Sequence, residues 1–168
     1  MSIEFEIASC QTQSDKKIFG LCDNPGPAKD PAYIDELDGA KWIAVVENEN
    51  RHQTTFTAID NCIEIKGADG KMEKRCDGML TYNSTVIFVE LKQRGAKGNS
   101  WVEEAELQLK NSIKHFEKTE FSESFNQKKA YISNSEHPKF KISQIGRMEK
   151  FFRDTEYILR IEARIKLV

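Results

Sequence analysis

Two acidic residues and a lysine stand at a spacing that could build a metal site on paired strands. Asp77 is followed, after an intervening turn, by the triplet Glu90-Leu91-Lys92. Mg²⁺ prefers oxygen ligands and commonly takes one or two carboxylates plus waters, and the backbone carbonyl of Leu91 could add a third oxygen. A lysine held beside them could stabilise negative charge on a phosphate or help to orient and deprotonate an attacking water. These roles together are those of phosphodiester hydrolysis.

A β-hairpin must bring these residues together. Apolar runs at 79–82 and 86–91 flank Asn83-Ser84, a pattern that predicts a hairpin with a two-residue loop. That loop sets Asp77 directly opposite Glu90; a four-residue loop keeps this register, whereas a three-residue loop moves Asp77 to the wrong face. Alternate residues of a strand share a face, so Glu90 and Lys92 point the same way. Two like charges directly opposite each other destabilise a sheet, and a bound cation would offset this cost. The plainer interpretation is an exposed strand end with ordinary surface charges.

The elements around the hairpin predict an α/β or α+β fold with a mixed sheet flanked by helices. Apolar periodicity predicts strands at 3–8, 42–46, 54–59, 129–133 and 157–167, and helices at 101–116 and 143–152. Glycines and prolines predict a loop over 15–31, and a short helical segment is expected at 32–38.

Length and charge narrow the class of protein. A chain of 168 residues fits one domain spanning 1–168 with a substantial core. Its net charge of −2 gives no global attraction for nucleic acid, so any polyanion must be bound by a local patch. There is no apolar run of the ~18–20 residues that a membrane span needs, and the first residues do not resemble a signal peptide. We therefore expect a cytoplasmic protein.

The four cysteines show no C-x-x-C spacing. They occur in apolar or turn contexts, at positions Cys10, Cys22, Cys62 and Cys76. This pattern favours reduced, partly buried thiols over a zinc site or disulfides.

Asp77 and the Glu90-Leu91-Lys92 triplet after a hairpin resemble the D…(E/D)-x-K signature of the PD-(D/E)xK, or restriction-endonuclease-like, nuclease superfamily. The resemblance covers roughly residues 54–133 in the order strand, hairpin, helix, strand. It implies a restriction-endonuclease-like mixed β-sheet flanked by helices, with residues 1–40 as an N-terminal strand and loop extension. The proline of the family's name is replaced here by Cys76.

The resemblance also implies roles for individual residues. In the family the aspartate and the glutamate bind Mg²⁺ or Mn²⁺ and the lysine serves the catalytic water, which assigns those roles to Asp77, Glu90 and Lys92. Some members place a glutamine on the following helix near the metal, and Gln108 matches it. A tyrosine often follows four residues later, where this chain has Ser112. The alternative for Gln108 is a residue at the edge of the helix face, bonded to backbone.

The family usually carries a further acid on a helix before the first core strand. Glu36 is the best-placed candidate, with Glu47 and Asp60 behind it, and the sequence does not choose among them. Arg94 and Lys97 follow the triplet in a basic loop and are expected to contact backbone phosphates beside the cleavage site.

The sequence is compatible with three functions. The leading hypothesis is a metal-dependent nuclease acting on DNA, with RNA as the alternative, aided by a homodimer or a partner protein because basic residues are few. The second is a non-catalytic protein- or nucleic-acid-binding module of the same fold. The third is an enzyme of another class with a carboxylate-metal site. Surface or core positions explain the scattered His52, His115 and His137 better than catalysis does.

Overall fold

Two β-sheets and two α-helices form the fold of the computed structural model, which describes residues 3–24, 27, 29–93, 100–136 and 144–168. The helices are α1 (Ser100–Phe116) and α2 (Ile145–Thr155), and short 3₁₀ turns span Ala8–Cys10, Gly39–Lys41 and Glu120–Ser124. The strands are β1 (Gln11–Ser14), β2 (Ile18–Cys22), β3 (Tyr33–Asp35), β4 (Ala44–Glu47), β5 (Thr54–Ala58), β6 (Gly78–Tyr82), β7 (Thr85–Lys92), β8 (Gln127–Asn134), β9 (Ile158–Ile161) and β10 (Arg164–Lys166).

Both sheets are mixed. The larger has the order β1-β5-β6-β7-β8-β9, antiparallel from β1 to β7 and parallel from β7 to β9. The smaller has the order β10-β4-β2-β3, in which only β10 and β4 are parallel. The prediction of a mixed α and β class is therefore confirmed, with one sheet more than the sequence indicated.

Apolar layers cover both faces of the six-stranded sheet. One lies between this sheet and the helices and includes Phe88, Leu109 and Phe151. The other lies between the two sheets and includes Phe19 and Ile87. Every residue of β7 is buried, which explains why the run from Val86 to Val89 is continuously apolar rather than alternating.

Several local predictions are wrong where the small sheet forms. The segment 32–38 is not helical but contains β3, the loop expected over 15–31 contains β2, and no strand forms at 3–8. The closing strand expected over 157–167 divides into β9 and β10, which join different sheets. Pairing between distant segments decides these elements, and such pairing overrides local propensity.

The expectation of four reduced thiols is also wrong. Cys10 and Cys62 form a disulfide with a Cα–Cα distance of 5.9 Å, while Cys22 and Cys76 are free and buried. Pairing of β1 with β5 sets Gln11 beside Thr57 and so carries Cys10 towards the turn that follows β5. Spacing along the chain does not reveal a bond that depends on this pairing.

In the described part of the chain, neither helix is long and apolar enough to cross a membrane.

Candidate functional site

The β6–β7 hairpin has the register that the sequence predicts. Tyr82 pairs with Thr85 across the two-residue loop, and the antiparallel pairing continues as far as Gly78 and Val89. Asn83 has φ 50°, a left-handed conformation that asparagine adopts more readily than most residues. Asp77 therefore lies directly opposite Glu90.

Reciprocal hydrogen bonds fix the two acids. The Leu91 backbone N–H donates to Asp77 Oδ2 at 2.7 Å, and the Asp77 backbone N–H donates to Glu90 Oε1 at 3.1 Å. Asp77 is 7% exposed and Glu90 3% exposed. Both carboxyls are thus immobilised and largely removed from bulk water at one end of the hairpin.

Lys92 is held among acceptors from its own strand and from α1. Its Nζ lies 3.2 Å from Glu90 Oε2 and 3.8 Å from Glu104 Oε2, and it donates to Gln108 Oε1 at 3.0 Å. Gln108 Nε2 donates in turn to the Arg75 backbone carbonyl at 3.3 Å. Gln108 therefore lies beside Lys92 and is also bonded to backbone, and its role in catalysis stays a prediction. Glu104, one helical turn earlier, is a contact that the sequence analysis missed.

A cleft of about 300 Å³ opens above these residues. It is lined by Asp23, Ile43, Asp60, Asp77, Glu90, Leu91, Lys92, Gln93 and Gln108. Asp23 directly follows β2 of the smaller sheet, and its carboxyl interacts with those of Asp60 and Asp77. Sequence reasoning missed Asp23, and the only signal was an acid at the end of an apolar segment.

The buried carboxyls favour their protonated forms. Burial, reinforced by the charge of Glu90, raises the pKa of Asp77 well above its usual range. Burial raises the pKa of Glu90 to about 7, although Lys92 opposes the rise. Burial also raises the pKa of Asp23; the backbone N–H of Asn24 opposes this rise and the charge of Asp60 adds to it. A divalent cation in the cleft would displace these protons, because it binds the deprotonated carboxylates.

Of the three candidates for the additional acid, Asp60 alone lines the cleft. Its Oδ1 lies 3.1 Å from the guanidinium of Arg75. Glu36 instead accepts a hydrogen bond from β1, and Glu47 pairs with Arg164 of β10. Asp60 follows β5 rather than lying on a helix, so its position differs from the one that the family resemblance implies.

The other predicted residues lie elsewhere or beyond the described residues. Arg94 and Lys97, predicted to contact phosphates, fall outside the described ranges, as does His137. His52 stacks on a tyrosine ring and His115 contacts a glutamate, and neither lines the cleft.

The donor set fits a hard cation better than a soft one. Asp77 and Glu90 present carboxylate oxygens, the ligand type that Mg²⁺ and Mn²⁺ prefer, and none of the described residues that line the cleft is a cysteine or a histidine. Within the described ranges, no group of three or more histidine, cysteine or acidic side chains that could hold a metal ion is found. A cation bound here would therefore need waters or backbone oxygens to complete its coordination.

Comparison of the chain with protein-family models, with curated proteins and with solved structures finds no match. Function must accordingly be argued from the cleft itself, since a fold alone does not determine an activity.

Proposed function

We propose that this protein is a metal-dependent nuclease of the PD-(D/E)xK type, with a restriction-endonuclease-like core, that hydrolyses phosphodiester bonds, with DNA favoured over RNA as its substrate. One observation carries the proposal: reciprocal hydrogen bonds fix Asp77 and Glu90 side by side, with Lys92 Nζ 3.2 Å from Glu90. Two carboxylates that can hold a metal ion, with one ammonium beside them, can together support metal-assisted phosphodiester hydrolysis.

Asp77 and Glu90 would hold Mg²⁺ or Mn²⁺, with the Leu91 backbone carbonyl as a further oxygen. The ion would supply Lewis-acid stabilisation of charge on the scissile phosphate and lower the pKa of a bound water. Asp23 lines the same cleft and its carboxyl interacts with that of Asp77, so it would influence the same ion, either as a ligand or through Asp77.

Lys92 is the residue suited to act on the attacking water. It is buried and anchored by Glu90 and Gln108, so its ammonium is held in one position rather than sampling many. Such anchoring reduces the entropy lost when the reacting groups are aligned. Gln108 is a positioning residue in this scheme, because it joins Lys92 to the backbone of Arg75 and so ties α1 to the strand.

The charge of the cleft explains why binding of a nucleic acid there would depend on a cation. Asp23, Asp60, Asp77 and Glu90 would together outweigh the two positive charges of Lys92 and Arg75 if all were ionised. A polyanion would then be repelled from the cleft unless a divalent cation neutralised the excess. Contacts from Arg94 and Lys97, and from a homodimer or a partner protein, would add the remaining affinity.

A non-catalytic protein- or nucleic-acid-binding module of the same fold is the second candidate. It is favoured by the lack, among the described residues, of a group of three or more potential metal ligands. Calorimetry separates the two: a nuclease binds Mn²⁺ in a Glu90-dependent manner, and a binding module does not require the ion.

A cytoplasmic location is part of the proposal, and one feature opposes it. The Cys10–Cys62 disulfide is of a kind that forms and persists mainly in oxidising compartments. Thiol labelling of protein taken directly from cells would decide the point, because free Cys10 and Cys62 are expected in a reducing cytoplasm.

The nuclease proposal is tested by cleavage of single- and double-stranded DNA and RNA with Mg²⁺ or Mn²⁺, against EDTA. We expect cation-dependent cleavage of DNA, reduced about 10²–10⁴-fold in Lys92→Ala. Lys166→Ala replaces an exposed lysine on β10 that does not line the cleft, so it is the matched control and should cleave like the wild type. Equal activity in the wild type and Lys92→Ala would contradict the proposal.

A further inference from the structure

An apolar surface lies where α2 meets β9. Ile145 is 62% exposed, Phe152 49% and Ile158 45%, and they line a groove of about 430 Å³ together with the partly buried Met148 and the buried Leu159 at its base. These five residues are called the α2 patch. Exposed apolar residues scattered singly are ordinary, but a contiguous set of this kind marks an interaction surface.

The α2 patch adjoins an open sheet edge. Strand β9 ends the six-stranded sheet, and in the described part of the chain it pairs only with β8. The outer side of an edge strand presents unpaired N–H and C=O groups that favour association. The apolar side chains and the free edge therefore lie together on one surface.

Two charged residues beside the α2 patch indicate what covers it. Glu149 and Arg153 are exposed and one helical turn apart, and neither forms an ion pair within 4 Å of another described residue. On the other side of α2, Arg147 and Asp154 are both tied to α1, at 2.7 Å and 2.8 Å. A second α2 running in the opposite direction would set Glu149 of each copy against Arg153 of the other. The surface is thus complementary to itself in charge as well as apolar.

We propose that the α2 patch is a self-association surface, on which two copies of this chain pack with antiparallel α2 helices about a two-fold axis. Such an isologous interface uses the same residues from both copies, as the mutual Glu149–Arg153 contacts require. Phe152 would be buried near the axis, with Met148 of each copy packed beside it. This inference does not depend on the nuclease proposal.

The proposed dimer has a consequence for the two clefts. Helix α2 connects the parallel strands β8 and β9 and therefore runs in the direction opposite to theirs. When the α2 helices of two copies are antiparallel, the strands of the two copies are antiparallel as well. The clefts, which lie at the carboxyl end of β7, would face opposite ends of the dimer. Each cleft would therefore work independently, and the dimer would not bring two sites to one step of a duplex. This dimer would not supply the added nucleic-acid contacts that the nuclease proposal asks of a homodimer, so a partner protein would have to supply them.

Sedimentation equilibrium over a wide concentration range tests the proposal. The wild type should dimerise reversibly, whereas Phe152→Glu should be monomeric under the same conditions. Leu37→Glu is the matched control, because Leu37 is 93% exposed and lies outside the α2 patch. Circular dichroism and thermal melts should show both variants folded, since each replaces an exposed side chain.

A charge exchange makes the test specific for the antiparallel arrangement. Glu149→Arg and Arg153→Glu should each weaken dimerisation at least about tenfold, because each introduces facing like charges. The double variant should restore dimerisation, because the pairs re-form with reversed sign. A wild type that stays monomeric, a dimer insensitive to Phe152→Glu, or a double variant no better than the singles would overturn the proposal.

Discussion

Raising the pH of the metal-free protein should lower its free energy of unfolding, because the buried carboxyl of Glu90 holds a proton in the folded state. Its pKa is raised from 4.5 to about 7, mainly by burial. Between these two values the folded state binds more protons than the unfolded chain does, so stability falls as pH rises. The loss is complete once the pH passes the folded pKa. Asp77, whose pKa is also raised, contributes with the same sign.

The magnitude follows from the rise in the pKa of Glu90. Each pKa unit corresponds to about 1.4 kcal/mol, so the full effect of this residue is about 3 kcal/mol. Part of this loss has already occurred at about pH 5. Between about pH 5 and about pH 8 we therefore expect the free energy of unfolding to fall by about 2.5 kcal/mol.

Urea denaturation in EDTA, repeated across this pH range without reductant, measures the effect. Glu90→Gln is the matched control, because the amide keeps the size of the side chain but cannot titrate, and its stability should depend much less on pH. Adding Mn²⁺ at the upper pH should recover stability in the wild type, since binding to the folded state stabilises it. If the wild type and Glu90→Gln lost stability equally, or the wild type grew more stable across this range, the reasoning would be refuted.

Three further predictions concern the fold and the cleft. Gly78→Ala should lose about 1–3 kcal/mol in urea denaturation, because its Cβ would lie 2.6 Å from the Thr57 carbonyl oxygen; wild-type stability would contradict this. Cys10→Ser should lose up to about 4 kcal/mol in non-reducing denaturation, since the bond to Cys62 closes a separation of 52 residues; an unchanged midpoint would argue against that crosslink. Asp23→Asn should weaken Mn²⁺ binding about tenfold by calorimetry, and unaltered affinity would remove Asp23 from the site.

The parts of the site that depend on local pairing could be predicted from the sequence. The two-residue loop after Tyr82 fixes the register, and the alternation of a strand puts Glu90 and Lys92 on one face. Helix α1 carries apolar residues at helical spacing, and this spacing predicts that Gln108 lies near the face of the helix that packs on the sheet. Whether these residues bind a cation stays a prediction.

The parts that depend on distant pairing could not be predicted. Asp23 reaches the cleft because β2 pairs with β4 in a second sheet, and Cys10 meets Cys62 because β1 pairs with β5. Segment 32–38 looked helical on its own, yet pairing with β2 makes part of it a strand. Register between segments far apart in the chain is set by the packed core, which no short window of sequence contains.

Anomalous diffraction from crystals soaked in Mn²⁺ tests the central claim most directly, namely that the cleft holds a divalent cation between Asp77 and Glu90. We expect a peak about 2 Å from a carboxylate oxygen of each residue, and its loss in Asp77→Asn crystals soaked in the same way. A saturating soak that leaves no peak between these two carboxylates would contradict the claim.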